Sequence, residues 1–304
     1  MTTIYVDSAR DDDTRRADLY SGAVHVFSPR ASTRALCSFA RGMIEEAFAG
    51  SDPTMVQHEI SVERFVEIFA PLKPRFIHHP DTLGLIRDVV EEVGCDLDAT
   101  FIDVPRLRGV TSHGYLTSGV GYAHHPHRDT WYSAPMAQLN WWLPIYPFEA
   151  ESSMAFHPRY FSEGVENGSS EFNYYEWNAT GRKDAASQIR SDTRKQPKAE
   201  AELELEPMVR VVCEPGGIVL FSGAQMHSTV PNTSGRTRFS MDFRTVNVED
   251  LAAQRGTPNV DSSPEGTSLR DFVRASDRAP LPGELIERYD SVDHDEKGVL
   301  VFKS

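Results

Sequence analysis

The hydrophobic period changes once along this 304-residue chain, near residue 99, and that change limits the folds open to it. In the first third, Leu36, Phe39, Ala40, Met43, Ile44, Ala47 and Phe48 recur at helical spacing, with Gly50 as a stop. A second helix is expected over 62–69, ended by Pro71. A third opens at Asp81, carries Leu83, Ile86, Val89, Val90 and Val93 on one side, and closes at Gly94. A short apolar strand over 24–28 precedes them. Beyond residue 99 the pattern turns to strands, expected over 100–104, 136–145, 208–213, 218–221 and 236–248. Turns such as Glu214-Pro215-Gly216-Gly217 separate them. Helices first and strands after make an α+β chain whose second part is a β-barrel or sandwich.

Length and pattern fit a single domain, with a helix-rich part over 1–98, a β core over 99–248 and a C-terminal extension over 249–304. The extension is turn-rich, with one short helical candidate over 269–274. An insertion over 161–206 interrupts the core; stretches of that length are binding loops, lids or mobile segments. Its first half is aromatic (Phe172, Tyr174, Tyr175, Trp177), either a lid over a pocket or packing for the insertion itself. Its second half, 182–206, reads as a solvated charged face.

A formal charge of −14 argues against nucleic acid and anionic membrane surfaces as partners. It also disfavours long-range steering of a polyanion, unless a local basic pocket overrides it. With the aromatic insertion, it points to a neutral or cationic small molecule as substrate. No apolar run is long enough to span a bilayer, and the acidic start has no apolar leader core. Cys37, Cys95 and Cys213 form no C-x-x-C pair, so a disulfide framework and a thiolate zinc site are not indicated. A reducing cytoplasm is the expected setting. Oligomeric state is not legible.

The chemistry gathers at His127-Arg128-Asp129 and, a hundred positions later, at His227. On an extended segment residues i and i+2 point to the same side, so His127 and Asp129 face one point together. His227 follows a strand and precedes Pro231-Asn232, which places it at a barrel rim. Two imidazoles and one carboxylate on one face of iron(II), with the opposite face open, are the ligand signature of non-haem iron oxygenases. Neither His124 nor His125 has a carboxylate two positions on, so both read as loop residues or as outer partners of the metal site. Arg238 offers a planar, permanently charged fork for a carboxylate. Arg236 belongs to the turn after Gly235, and Arg244 faces either the substrate or a carboxylate. Thr229 either donates its hydroxyl to a ketoacid or caps a turn. Trp131, Tyr132, Trp141, Trp142 and Tyr146 crowd the region after the first ligands. Strand alternation sends some into the core and leaves others to wall a dry pocket. His25, His58, His78, His79, His113 and His157 are assigned structural or surface places.

The order His127-x-Asp129, His227, Arg238 resembles the iron(II)/2-oxoglutarate-dependent oxygenases, in particular the phytanoyl-CoA dioxygenase-like branch. Residues 215–221, Pro-Gly-Gly-Ile-Val-Leu-Phe, are similar to the turn and strand preceding the distal histidine there. Residues 227–234, His-Ser-Thr-Val-Pro-Asn-Thr-Ser, are similar to the turn that carries it. Arg238 stands where that family keeps its 2-oxoglutarate arginine, and Trp141 matches an aromatic position. The resemblance implies a double-stranded β-helix (jelly-roll, cupin-like) core with N-terminal flanking helices. It also implies Fe(II), O2 and 2-oxoglutarate, with His127, Asp129 and His227 as metal ligands and catalytic centre. Arg238, Thr229 and Trp141 would bind the co-substrate, and Trp131, Tyr132 and Arg244 the substrate. The implied reaction hydroxylates an unactivated C–H bond of a small metabolite while 2-oxoglutarate becomes succinate and CO2. Family halogenases replace the carboxylate ligand with a small residue, so Asp129 favours hydroxylation, desaturation or ring formation. Phe156-His157-Pro158-Arg159-Tyr160 stands where the family often carries Gly-Ser-His, and no acyl-CoA substrate is carried over. Two other readings remain: a cupin-like metal enzyme without a ketoacid (an isomerase or ring-cleaving dioxygenase), and a non-catalytic ligand-binding barrel.

Overall fold

The computed structural model describes residues 2–121, 124–181, 183–189 and 191–290. Arg182 and Arg190 of the charged run, Tyr122 and Ala123, and 291–304 of the C-terminal extension lie outside the described residues. The acidic start, which carries no apolar pattern, is ordered. Strand β1 (Ile4–Val6) pairs parallel with β2 (Val24–Phe27), and helix α1 (Asp12–Tyr20) lies between them. Asp11 caps α1 by accepting from the Thr14 amide, and Asp12 and Asp13 sit at its positive end.

Helix α2 (Ala31–Ala47) and helix α4 (Thr82–Glu92) form as their spacing predicts. Helix α3 departs from expectation: it spans Val62–Ile77 and contains both Pro71 and Pro74. Each proline removes one helical hydrogen bond, but both are exposed, so water can satisfy the freed carbonyls. Phe65, Val66, Phe69, Leu72 and Phe76 meanwhile bury one continuous stripe, and that packing outweighs the lost bonds. The extra two turns carry Lys73 to the rim of the site.

The strands form two sheets. The larger runs β1, β2, β8 (Ile218–Ser222), β5 (Leu139–Pro144), β10 (Arg238–Asn247), β3 (Thr100–Ile102) and β11 (Val273–Arg274), with β4 (Arg106–Val110) also paired to β10. The smaller runs β7 (Val209–Val211), β6 (Met154–Phe156) and β9 (His227–Thr229). Strands β4, β6 and β9 are too short or too polar to read from sequence. The helical candidate over 269–274 is instead a 3-10 turn, Ser268–Asp271, followed by β11, because the edge of β3 offers unpaired backbone groups.

Alternation along the central strands sorts the layers. Leu139, Trp141 and Leu143 of β5, with Phe239, Met241 and Phe243 of β10, face the helices in the main core. Trp142, Val219, Phe221, Met154 and Phe156 fill the space between the two sheets. This is the jelly-roll expected, an α+β chain with its helices on the outer face of the large sheet. Among the described residues no helix is long and apolar enough to cross a membrane.

Candidate active site

Two distant stretches are stitched together at the mouth of the barrel. His127 and His227 exchange backbone hydrogen bonds, each N–H 3.0 Å from the other's carbonyl, and the Asp129 amide donates to the Gly223 carbonyl at 2.9 Å. Between them Arg128 points the other way and is almost fully buried. Its guanidinium donates to the Ala224 carbonyl at 2.7 Å and the Glu163 carbonyl at 3.0 Å, and pairs with Asp261. It clamps the loop after β8 to the insertion, a role the sequence did not reveal.

His127, Asp129 and His227 are buried, and one donor atom of each lies within 4.8 Å of the others, a set that can hold a metal ion. Asp129 Oδ1 is 3.5 Å from His127 Nε2 and 3.9 Å from His227 Nε2. Each Nδ1 sits against the backbone carbonyl two residues earlier, His125 at 2.8 Å and Gln225 at 2.9 Å. A carbonyl only accepts, so Nδ1 carries the proton and the Nε2 lone pair is left for a metal. Burial pushes His227 down to about 4, which keeps its ring neutral.

The other oxygen of Asp129 is held from three sides: Asn140 Nδ2 at 2.9 Å, Gln138 Nε2 at 3.2 Å and Arg244 Nε at 3.2 Å. Oδ1 is therefore the one free to bind a cation. Gln138 and Asn140 escaped the sequence reading. Their signal was two amides at alternate positions leading into an apolar strand.

Arg238 lies deeper in the same cavity, 6% exposed. Its Nη1 donates to the Ser152 carbonyl at 2.8 Å and its guanidinium lies over Trp142 at 5.3 Å, while Nε has no partner. It makes no ion pair with a carboxylate among the described residues. Burial, with Arg108 nearby, pulls it down to about 10. Thr229 lines the cavity beside it.

Trp141, Trp131 and Arg244 take the following places, of which only that of Trp131 lies away from the cavity. Trp141 contributes to the cavity wall, but its indole packs on the helix side, stacked on Phe243 with Nε1 on Thr245. Strand parity gives the inner place to Trp142. Trp131 borders neither the cavity nor its outer extension; its Nε1 bonds Asp261 at 2.8 Å within a cluster of Tyr160, Val165 and Met226. Arg244 edges the cavity but is engaged by carboxylates, with Nη1 2.9 Å from Asp242 and Nε on Asp129. Tyr132 stands where expected, edge-on to His127 at 5.7 Å and lining the outer chamber. His124 meets Arg108 at 3.3 Å and His125 meets the Pro197 carbonyl at 2.9 Å, so neither joins the donor set.

With their openings, the inner cavity measures about 750 Å³ and the outer chamber about 1300 Å³. The two adjoin, with Lys73, Arg108, His127, Asp129 and Arg244 in the walls of both. Phe172, Tyr174, Trp177 and Arg194 of the insertion wall the outer chamber, so its aromatic half faces the site.

A jelly-roll with a two-histidine, one-carboxylate donor set and an unpaired buried guanidinium defines the class: a mononuclear-metal oxygenase fold with a place for an anionic co-substrate. The chain belongs to the phytanoyl-CoA dioxygenase (PhyH) family, whose model matches residues 22–240. It is a non-haem iron, 2-oxoglutarate-dependent oxygenase. Among solved structures it is similar to EvdO2 from Micromonospora carbonacea var. aurantiaca complexed with 2-oxoglutarate (12% identity over 79% of this chain and 92% of that one, TM-score 0.46). It is also similar to the alpha ketoglutarate dependent epimerase SnoN from nogalamycin biosynthesis (15% identity, 90% and 95% covered, TM-score 0.39). A third is the non-heme monooxygenase ThoJ in its apo form (15% identity, 83% and 79% covered, TM-score 0.39). No curated protein matches the sequence.

Proposed function

We propose that His127, Asp129 and His227 hold the iron(II), that Arg238 and Thr229 take the outer carboxylate of 2-oxoglutarate, and that the chain hydroxylates an unactivated C–H bond of a small metabolite. The observation that carries this reading is Arg238. A guanidinium buried beside the donor set without a carboxylate of its own is costly unless a ligand supplies one. A cupin-like metal enzyme that uses no ketoacid has no need of that cation, so Arg238 weighs against the alternative. When bound, iron with 2-oxoglutarate and O2 supplies the oxidising power, and the co-substrate leaves as succinate and CO2.

The chain's own residues do the positioning. Carbonyls at 125 and 225 fix both imidazoles with Nε2 inward. Asn140, Gln138 and Arg244 hold one carboxylate oxygen so that the other presents to the metal. Trp142, Met154 and Phe221 line the inner cavity and limit water there. Tyr132, Phe172 and Trp177 give the outer chamber flat apolar walls for the metabolite. Succinate release screened against a metabolite library, with an Asp129→Ala control, tests the reading. A metabolite that accelerates succinate release and leaves with one added oxygen supports it. A product with unchanged mass and inverted stereochemistry refutes the hydroxylase assignment, and succinate release surviving in Asp129→Ala refutes the metal site.

A further inference from the structure

The outer chamber is more basic than the chain. Lys73, Arg106, Arg108, Arg194 and Arg244 line it, against Asp103 and Asp129. Each arginine touches a carboxylate: Arg106 meets Asp103 at 2.7 Å and Arg194 meets Asp192 at 2.5 Å, while Arg108 and Arg244 share Asp242 at 2.7 and 2.9 Å. Lys73 has none. Its ammonium lies 5.4 Å from the Phe69 ring centroid and makes no ion pair or hydrogen bond among the described residues. It is half-buried on α3 and lines both the inner cavity and the outer chamber.

Charge balance says what it lacks. The two positive charges of iron(II), less the one on Asp129, together with that of Arg238, match the two carboxylates of 2-oxoglutarate. Asp242 acts on Lys73 from the cavity wall, but Arg108 and Arg244 already share it, so positive charge at Lys73 is left over. A half-buried ammonium with no ion-pair partner of its own is unfavourable, and burial with Arg108 nearby pulls Lys73 down to about 7. An oxyanion arriving with the substrate relieves both. Phe172, Trp177 and Tyr132 would meet the apolar body attached to it.

Resting on the oxygenase reading above, we propose that Lys73 is a specificity-determining residue: it binds an oxyanion, carboxylate or phosphate monoester, on the organic substrate. The substrate is then a small organic anion. This reverses the expectation from net charge, because the −14 total is spread over the surface while the chamber is lined mainly by cations.

The test is calorimetric titration of the full chain, loaded with iron(II) and 2-oxoglutarate under argon, with phenylacetate, phenyl phosphate and phenylacetamide. At least one anion should bind about tenfold or more tightly than the neutral amide, the scale of one charge-assisted hydrogen bond. Which anion binds better separates the two oxyanion classes. Lys73→Met should abolish the preference, Lys73→Arg should retain it, and both should keep wild-type affinity for 2-oxoglutarate. Absence of the preference, whether from equal binding or from none, overturns the proposal, as does its survival in Lys73→Met. Should the wild type fail to bind 2-oxoglutarate, the co-substrate reading is what fails. The same titrations on Arg238→Met, which removes the one cavity guanidinium that has no ion pair among the described residues, then judge Lys73.

Discussion

Replacing Arg238 by leucine should stabilise the fold while removing the co-substrate. Pulling the guanidinium from its ordinary value down to about 10 corresponds to about 3 kcal/mol of unfavourable burial, at about 1.4 kcal/mol per pH unit. Leucine removes that cost. It also loses the 2.8 Å hydrogen bond to the Ser152 carbonyl, about 1 kcal/mol, and leaves part of the arginine's volume unfilled. A net gain of about 1–2 kcal/mol remains. With an unfolding entropy of roughly 0.6 kcal/mol/K for a chain of this length, Tm rises by roughly 2–3 °C. The affinity for 2-oxoglutarate meanwhile falls by about 100-fold or more, the worth of a bidentate charge-assisted contact. Thermal denaturation with and without iron(II) and 2-oxoglutarate reads both effects. The wild type should gain Tm on adding the pair, and Arg238→Leu should start higher and gain only what the metal gives. A variant that unfolds earlier and still binds 2-oxoglutarate as tightly as wild type refutes the reasoning.

Asn140→Ala removes a 2.9 Å donor from the outer oxygen of Asp129 and should weaken metal binding about 10–100-fold in a competitive chelator titration; unchanged affinity contradicts the assigned role. Phe239→Ala empties a fully buried site that touches Phe48, Phe69 and Tyr146 and should cost about 3–5 kcal/mol in urea unfolding. Lys73 is lowered from 10.5 to about 7, so the unfolded chain binds its proton more tightly. Its cost to stability is complete below about pH 7 and fades as pH rises toward 10.5. Allowing for its half-exposure, Lys73→Met should therefore stabilise the ligand-free chain by about 1–3 kcal/mol at pH 6 and by less at pH 9.5. A gain that grows with pH would contradict that.

What the sequence disclosed and what it hid divide along physical lines. The clustering of His127, Asp129 and His227 was legible because i, i+2 spacing on extended chain fixes direction locally, and the place of Arg238 in the same cavity because its distance from His227 is kept along one short turn and strand. Helices α2 and α4 carried both an apolar stripe and a stop. The end of α3 was hidden, since whether Pro71 breaks a helix depends on what Phe69, Leu72 and Phe76 bury, and that is tertiary. Which of Trp141 and Trp142 enters the barrel was hidden for a similar reason. Adjacent tryptophans give no parity signal, and only the pairing of β5 with β10 shows which one enters the barrel. Asn140 and Lys73 acquire meaning only from partners over ten and over thirty positions away, Asp129 for the first, and Arg108 and Asp242 around the second. Net charge averages a surface and says nothing of one chamber, whose described lining is mainly cationic.

The proposed grip of His127, Asp129 and His227 on one iron(II), with 2-oxoglutarate chelating it, has a spectroscopic signature. Anaerobic titration of the iron-loaded chain with 2-oxoglutarate, followed by visible absorption, tests it most directly. The wild type should develop a weak charge-transfer band that saturates at one equivalent, and His227→Ala should develop none. A wild-type chain that binds iron yet never develops the band, or a His227→Ala variant that develops it undiminished, would contradict it.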